Sequence, residues 1–254
     1  MIQLDAALEK SHSSEPAVHA YRGAKRILDV SCCLVALPFL LVATSVLALH
    51  MLITSPGPVF FRQDRVGLRG RKFPLYKFRT MKVRSETDSH RTHFATLVQS
   101  KQAMQKLDAR GDARLIVGGW LLRSSGLDEL PQIINVLRGD MSIVGPRPCL
   151  PYEYEHYTAL QRRRFDSLPG LTGLWQVSGK NRTTFEEMIQ LDVDYTRRSS
   201  LALDLKIVAL TIPALCVQVH DIWTARTGTR PVSKAPATQG MSTPPCATTE
   251  GAHS

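Results

Sequence analysis

Residues 121–148 read LLRSSGLDELPQIINVLRGDMSIVGPRP. Two adjacent carboxylates, Asp128 and Glu129, stand at the head of a helix-like run, and Arg147 follows it between two prolines. Adjacent carboxylates suit a hard cation bound through oxygen. A guanidinium suits a pair of phosphate oxygens, because its planar fork of donors matches them. Together they point to metal-assisted phosphoryl chemistry. The positive end of the following helix would lower the carboxylate pKa values and attract phosphate. An ionised aspartate placed there is a competent nucleophile. The same residues also fit a purely structural reading. Ser125-x-x-Asp128 has the spacing of a capping box. Pro131 suits a first helical turn, where its missing N–H costs nothing. Leu130, Ile133, Ile134 and Leu137 form an apolar face at helical spacing.

The element that would hold this chemistry in place is an apolar segment, Ile27 to Ile53. Twenty uncharged residues lie between Asp29 and His50, which meets the ~20-residue requirement for crossing a bilayer core. The segment starts late and has no A-x-A pattern, which argues against a cleaved signal peptide. Pro38 in its middle removes a backbone bond and predicts a kink. Basic residues flank both ends: Arg22, Lys25 and Arg26 before, Arg62, Arg65 and Arg69 after. The positive-inside rule keeps both flanks in the cytoplasm. A kinked helix that enters and leaves by one face satisfies both flanks. A straight span would translocate the N-terminal tail, whose four basic and three acidic residues through Arg26 impose a modest barrier. The residues alone leave both open and lean toward the re-entrant form.

With 254 residues the chain has room for one good-sized domain with attachments, or two small ones. A formal net charge of +10 implies an anionic partner: nucleic acid, an anionic membrane surface or a nucleotide. Five cysteines without a CxxC pair argue against a disulfide framework or a zinc site, and for a reducing compartment. His90 and His93 read as a solvated surface. Gly173–Lys180 (GLWQVSGK) has five residues between its glycines and Asn181 after the lysine, so it fails the P-loop pattern. No nucleic-acid motif is present, and an acidic pair would oppose such binding. A non-enzymatic tether with a basic lipid- or partner-binding face is the rival reading, but it needs neither the carboxylates nor Arg147.

Along the chain, residues 1–21 read as a poorly ordered tail and 22–54 as the membrane helix. Residues 55–225 read as a cytoplasmic domain with interfacial helices, and 226–254, rich in Thr, Pro, Ala and Ser, as a disordered tail. Val59–Arg65 and Lys72–Arg79 flank Gly67-Leu68-Arg69-Gly70 and predict a β-hairpin. Met141–Val144 reads as a connector, 151–166 as helical and Leu168–Gly173 as a turn-rich loop. Thr183-x-x-Glu186 predicts a helix start. Arg162-Arg163-Arg164 reads as a solvated charged face, or as a contact for lipid headgroups. Leu201–Trp223, apolar but interrupted by Asp204, Lys206 and Asp221, suits a helix lying on the membrane interface.

Six stretches, in order, carry a family resemblance: KRILDV at 25–30, GPVFFRQDRVG at 57–67, KFRTM at 77–81, LDELPQIINVLRGDMSIVGPRP at 127–148, PGLTGLWQVSGKN at 169–181 and LDVDY at 191–195. Through them the chain resembles the monotopic polyprenyl-phosphate phosphoglycosyl transferases, the bacterial sugar transferases that start exopolysaccharide and O-antigen assembly. The wording LWQVSG is most similar to the small exopolysaccharide-type members. The resemblance implies an α/β fold, mostly helical with a small β-hairpin, in a monotopic protein of the bacterial inner membrane. Its N-terminal helix would be re-entrant and broken near Pro38, and its catalytic domain would face the cytoplasm. Asp128 would attack the β-phosphate of a UDP-sugar, with galactose or glucose favoured. Glu129 would bind Mg²⁺, and undecaprenyl phosphate would accept the sugar phosphate. Lys77, Arg79, Arg123 and Arg147 would contact phosphates or support the acidic pair, and Asp192 would be a further active-site carboxylate. Arg114-Leu115-Ile116 departs from the usual Arg-x-Thr, which touches local packing only.

Overall fold

The computed structural model describes residues 15–82, 114–179 and 183–226. The expected tails up to residue 14 and from 227 onward, the stretch holding His90 and His93, and Lys180 lie outside the described residues. The described residues are mostly helical, with two small two-stranded sheets.

Forty residues, Glu15–Thr54, form one α-helix, α1, and helical assignment runs unbroken through Pro38. The helix therefore starts within the segment expected to be a loose tail. The reason is tertiary: the Tyr21 hydroxyl donates to Asp204 at 3.0 Å. Val35, Phe39, Val42, Leu52 and Ile53 on α1 are 65–76% exposed. A patch of that kind is untenable in water, and Ala20–Thr54 is long and apolar enough to cross a bilayer. Membrane association follows.

The remaining face of α1 is built into the rest of the protein. The ammonium of Lys25 donates to Asp204 Oδ2 at 2.9 Å, to the Val144 carbonyl at 2.9 Å and to the Tyr195 hydroxyl at 3.1 Å. All three of its N–H groups are thereby matched. Arg26 donates to the Val136 and Leu137 carbonyls at 2.6 and 2.7 Å, at a helix C-terminus where a cation is favoured. Asp29 accepts from Ser142 Oγ at 2.9 Å and from the Ile143 N–H at 2.8 Å. Cys33 is fully buried in a core cluster with Phe73, Leu75, Ile133 and Val136. The KRILDV stretch is thus an anchor: Lys25 and Asp29 both hold the strand Ser142–Val144, and Arg26 holds the helix Gln132–Arg138.

Strands β1 (Phe60–Val66) and β2 (Lys72–Phe78) pair antiparallel, from Phe60↔Phe78 to Val66↔Lys72, as the sequence predicts. The turn is closed by Gly67 N–H to Arg71 O at 2.9 Å, with Arg69 and Gly70 in the left-handed region. Helix α2 (Gly119–Ser125) ends at Gly126, whose φ of +74° starts a 3₁₀ turn, Leu127–Glu129. Helix α3 (Gln132–Arg138) follows, burying Gln132, Ile133, Asn135 and Val136. The expected Ser125–Asp128 capping box does not form. Ser125 Oγ instead donates to Leu121 O at 2.8 Å.

The expected connector at 141–144 and the turn-rich loop at 168–173 are instead a parallel pair, β3 (Ser142–Val144) and β4 (Gly170–Thr172). Short helices α4 (Pro151–Glu155), α5 (Ala159–Arg162) and α6 (Leu174–Val177) precede the longer α7 (Phe185–Arg198) and α8 (Leu201–Arg226). The α7 capping box uses Thr184 and Glu187, one residue later than the spacing suggested. Thr183 Oγ1 is occupied, accepting from the Trp175 indole N–H at 2.6 Å.

Asp204 is fully buried and accepts from Lys25, Tyr21 and Tyr195. Asp204→Ala strands the Lys25 charge, and removing one partner of a buried ion pair costs about 3–5 kcal/mol. Thermal unfolding in detergent is expected to show a loss of that order; an unchanged midpoint would remove the network from the account of the fold.

Candidate active site

The buried amide of Asn135 sets the geometry. Its Nδ2 donates to Pro74 O at 2.7 Å and its Oδ1 accepts from the Tyr76 N–H at 3.1 Å. These two bonds fasten α3 to the backbone of β2. Lys77, next along β2, then reaches Glu129 across the gap: Lys77 Nζ lies 2.8 Å from Glu129 Oε1.

Arg147 arrives from the other side. It sits in Gly145-Pro146-Arg147-Pro148, directly after β3, and its Nη1 lies 3.6 Å from the same Glu129 oxygen. Glycines hold this loop close to β4. A Cβ on Gly170 would sit 2.0 Å from Gly145 N, and one on Gly145 would sit 2.2 Å from Leu168 O. Only bare backbone fits there. The closeness permits Gly145 N–H to Thr172 O and Gly170 N–H to Pro146 O, both at 2.9 Å.

These groups line one small, open cleft. The hairpin contributes Arg65, Leu75 and Lys77. Glu129 comes from the 3₁₀ turn, Gln132 from the start of α3, Arg147-Pro148 from the loop after β3 and Gly170-Leu171 from β4. Asp128, in the 3₁₀ turn beside Glu129, is 9% exposed.

Of the residues singled out in the sequence, Lys77, Glu129 and Arg147 converge here; Asp128 precedes Glu129 in the chain but is not among the residues that line the cleft. Arg123 lies in the last turn of α2, just ahead of the acidic pair. Arg79 takes a different position. It donates from Nε to Pro58 O at 2.7 Å and from both Nη atoms to Ser55. It therefore clamps the turn by which the chain leaves α1. Pro38 is inside α1, in the apolar segment.

Asp192 lies behind the cleft, fully buried. It pairs with Arg164, whose Nη2 also donates to the Arg147 carbonyl at 2.9 Å and whose Nη1 donates to the Tyr157 hydroxyl at 3.2 Å. Burial pushes the Asp192 carboxyl up to about 6 although the Arg164 charge pulls it down. Arg164 corrects the reading of the arginine triplet as a solvated face: it is 1% exposed, turned inward by the 3₁₀ segment Arg163–Asp166. Sequence reasoning also passed over Arg65, Gln132 and Asn135. A signal existed for the last two, as polar residues on the buried side of an otherwise apolar helix.

Among the described residues, no three His, Cys, Asp or Glu side chains form a ready metal cage. The acidic pair supplies two carboxylates on consecutive residues. Mg²⁺ is commonly held by one or two carboxylates, with waters and substrate phosphates completing its shell. The donor set therefore fits Mg²⁺ that shares its coordination with a bound phosphate.

The profile of the bacterial sugar transferases matches residues 20–218, which include every residue of this cleft. The chain belongs to the bacterial sugar transferase family. It is 40% identical over 190 residues to the galactosyl transferase CpsE of Streptococcus agalactiae, covering 74% of this chain and 41% of that protein. It is 42% identical over 196 residues to the UDP-glucose:undecaprenyl-phosphate glucose-1-phosphate transferase of Xanthomonas campestris, covering 74% and 38%. With the exopolysaccharide production protein ExoY of Rhizobium meliloti it shares 40% over 200 residues, covering 76% and 86%. The chain thus spans less than half of two of these sugar transferases and most of the third.

Proposed function

We propose that this chain moves a sugar 1-phosphate from a UDP-sugar to undecaprenyl phosphate and releases UMP, as the first membrane step of exopolysaccharide or related glycan synthesis. The observation that carries the reading is the meeting of Lys77 and Arg147 on Glu129, beside Asp128. The name of the Xanthomonas campestris relative describes this reaction with glucose. A Salmonella typhimurium relative is named for galactose. These are the first two donors to try.

In the proposed reaction an Asp128 carboxylate oxygen attacks the β-phosphorus of the donor. The bond from that phosphorus to the bridging oxygen breaks, and UMP leaves with the oxygen. Undecaprenyl phosphate then attacks the same phosphorus and frees Asp128. Lys77 and Arg147 hold phosphate oxygens and offset their charge, since phosphoryl transfer asks mainly for positioning and neutralisation. Mg²⁺, held by Glu129, would supply further charge neutralisation to the diphosphate and the leaving UMP.

The acceptor phosphate stays at the headgroup plane, so the cleft must be held there. The contacts of α1 support a re-entrant placement. Arg26 near its start bonds α3, and His50 near its end donates to Val117 O at 3.0 Å. A straight crossing of a hydrocarbon core of about 30 Å would put these two contacts on opposite faces. One domain on the cytoplasmic face of the inner membrane can hold both when α1 enters and leaves by that face, which requires a bend in the helix that here runs unbroken through Pro38. Pro38, lacking an N–H, is the position at which such a segment bends most readily. The exposed apolar residues of α8, among them Ile212 at 70%, add a second surface for lipid.

UMP release should be measured in detergent with undecaprenyl phosphate, Mg²⁺ and a panel of UDP-sugars. We expect release with one donor, arrest by a chelator, and a loss of about a thousandfold or more in Asp128→Asn. Glu129→Gln should come close to that loss. Appreciable turnover by purified Asp128→Asn would remove Asp128 as nucleophile. A cysteine placed near residue 15 should react with an impermeant thiol reagent only from the cytoplasmic side; labelling from the periplasm would establish a full span.

A further inference from the structure

Arg65 is the unexplained charge of the cleft. Its partners are few: Nη2 donates to Gln63 Oε1 at 2.9 Å, and Nη1 reaches Pro148 O at a long 3.4 Å. Its Nε is sealed from solvent and has no partner. The nearby carboxylates, Glu129 and Glu153, each hold another partner and offset the burial of Arg65 only in part. Glu129 Oε1 takes Lys77 and Arg147, and Glu153 Oε2 takes the Leu150 N–H at 2.8 Å. Burial, and then the neighbouring charge of Arg147, depress the Arg65 pKa.

A half-buried guanidinium beside a second guanidinium, with its Nε sealed and unused, is costly unless an anion joins it. The cleft asks for the same thing. It is lined by three cations, Arg65, Lys77 and Arg147, against the one carboxylate of Glu129. The hairpin aims Arg65 at this space. In the β1–β2 register, Arg65 faces Phe73, and Leu75 and Lys77 follow on β2 at period two. Arg65, Leu75 and Lys77 therefore share the face that lines the cleft.

We infer that Arg65 is a third phosphate-binding cation of the site, gripping the donor diphosphate together with Lys77 and Arg147. The inference rests on the UDP-sugar reading for the identity of the anion. The planar fork of Arg65 matches paired phosphate oxygens in a way that a lysine cannot. Its contact with Pro148 O adds a link to the Arg147 loop, so ligand affinity must be separated from fold stability.

The test is calorimetric titration of UDP, with Mg²⁺ present, into the full-length protein in detergent. Wild type, Arg65→Gln and Arg65→Lys are compared, with thermal unfolding measured on each. Loss of a charged hydrogen-bond donor predicts UDP affinity about tenfold or more lower in Arg65→Gln, and an intermediate value in Arg65→Lys. Equal UDP affinity in wild type and folded Arg65→Gln overturns the inference, even if stability falls. If Arg65→Gln does not fold, Arg65→Lys decides in the same way. If wild type does not bind UDP, the donor reading fails by itself. Inorganic pyrophosphate then replaces UDP in the same comparison, and unchanged or absent pyrophosphate binding overturns the role of Arg65.

Discussion

A single part-buried ammonium ties the apolar helix to the strand behind the cleft. Lys25 Nζ lies between the Asp204 carboxylate and the Val144 carbonyl, each at 2.9 Å. Val144 ends β3, and Arg147 stands three residues later. Asp29 holds the preceding two residues of the same strand. The apolar helix therefore grips the strand that leads into the Arg147 loop. The cost of burying the Lys25–Asp204 pair is offset because its groups are matched: the ammonium has three acceptors, and Asp204 takes two tyrosine hydroxyls besides the lysine. In the proposed reaction, which joins a soluble donor to a lipid acceptor, this rigidity would fix the height of the site relative to the bilayer.

A second chain of contacts works from below. Asp192 and Arg164 are buried together, and Arg164 reaches the Arg147 carbonyl and Tyr157. The backbone of Arg147 is thus held from the core while its side chain turns toward Glu129. Asn135 does the same for Lys77 by fastening β2 to α3. Each group in the cleft that meets Glu129 is backed by a buried polar residue that never enters it. Such backing restricts the positions of the charged groups before substrate arrives, which is what catalysis by positioning requires.

Much of this was legible in the sequence, for identifiable reasons. The hairpin follows from alternation around a Gly-bounded turn, and α3 from apolar spacing after Pro131. The acidic pair and Arg147 follow from residue type and order. What could not be read depends on contacts distant in the chain. The strands β3 and β4 have three residues each, too few for any period. Arg164 looks like its two neighbours until the 3₁₀ turn points it inward. Asp204 reads as an interruption of an apolar helix, and only its pairing with Lys25, 179 residues away, gives it a purpose. Glu15–Tyr21 reads as a tail because its anchor also lies on α8.

The central claim is a covalent sugar phosphate on Asp128. The most direct measurement is intact-protein mass spectrometry after brief mixing with Mg²⁺ and the productive UDP-sugar, without acceptor. A mass gain of one sugar phosphate is expected. That gain should map to the peptide containing Asp128, be absent from Asp128→Asn, and be discharged by undecaprenyl phosphate. Turnover with acceptor, but no adduct at any time without it, would contradict the account and point to direct transfer between the two substrates.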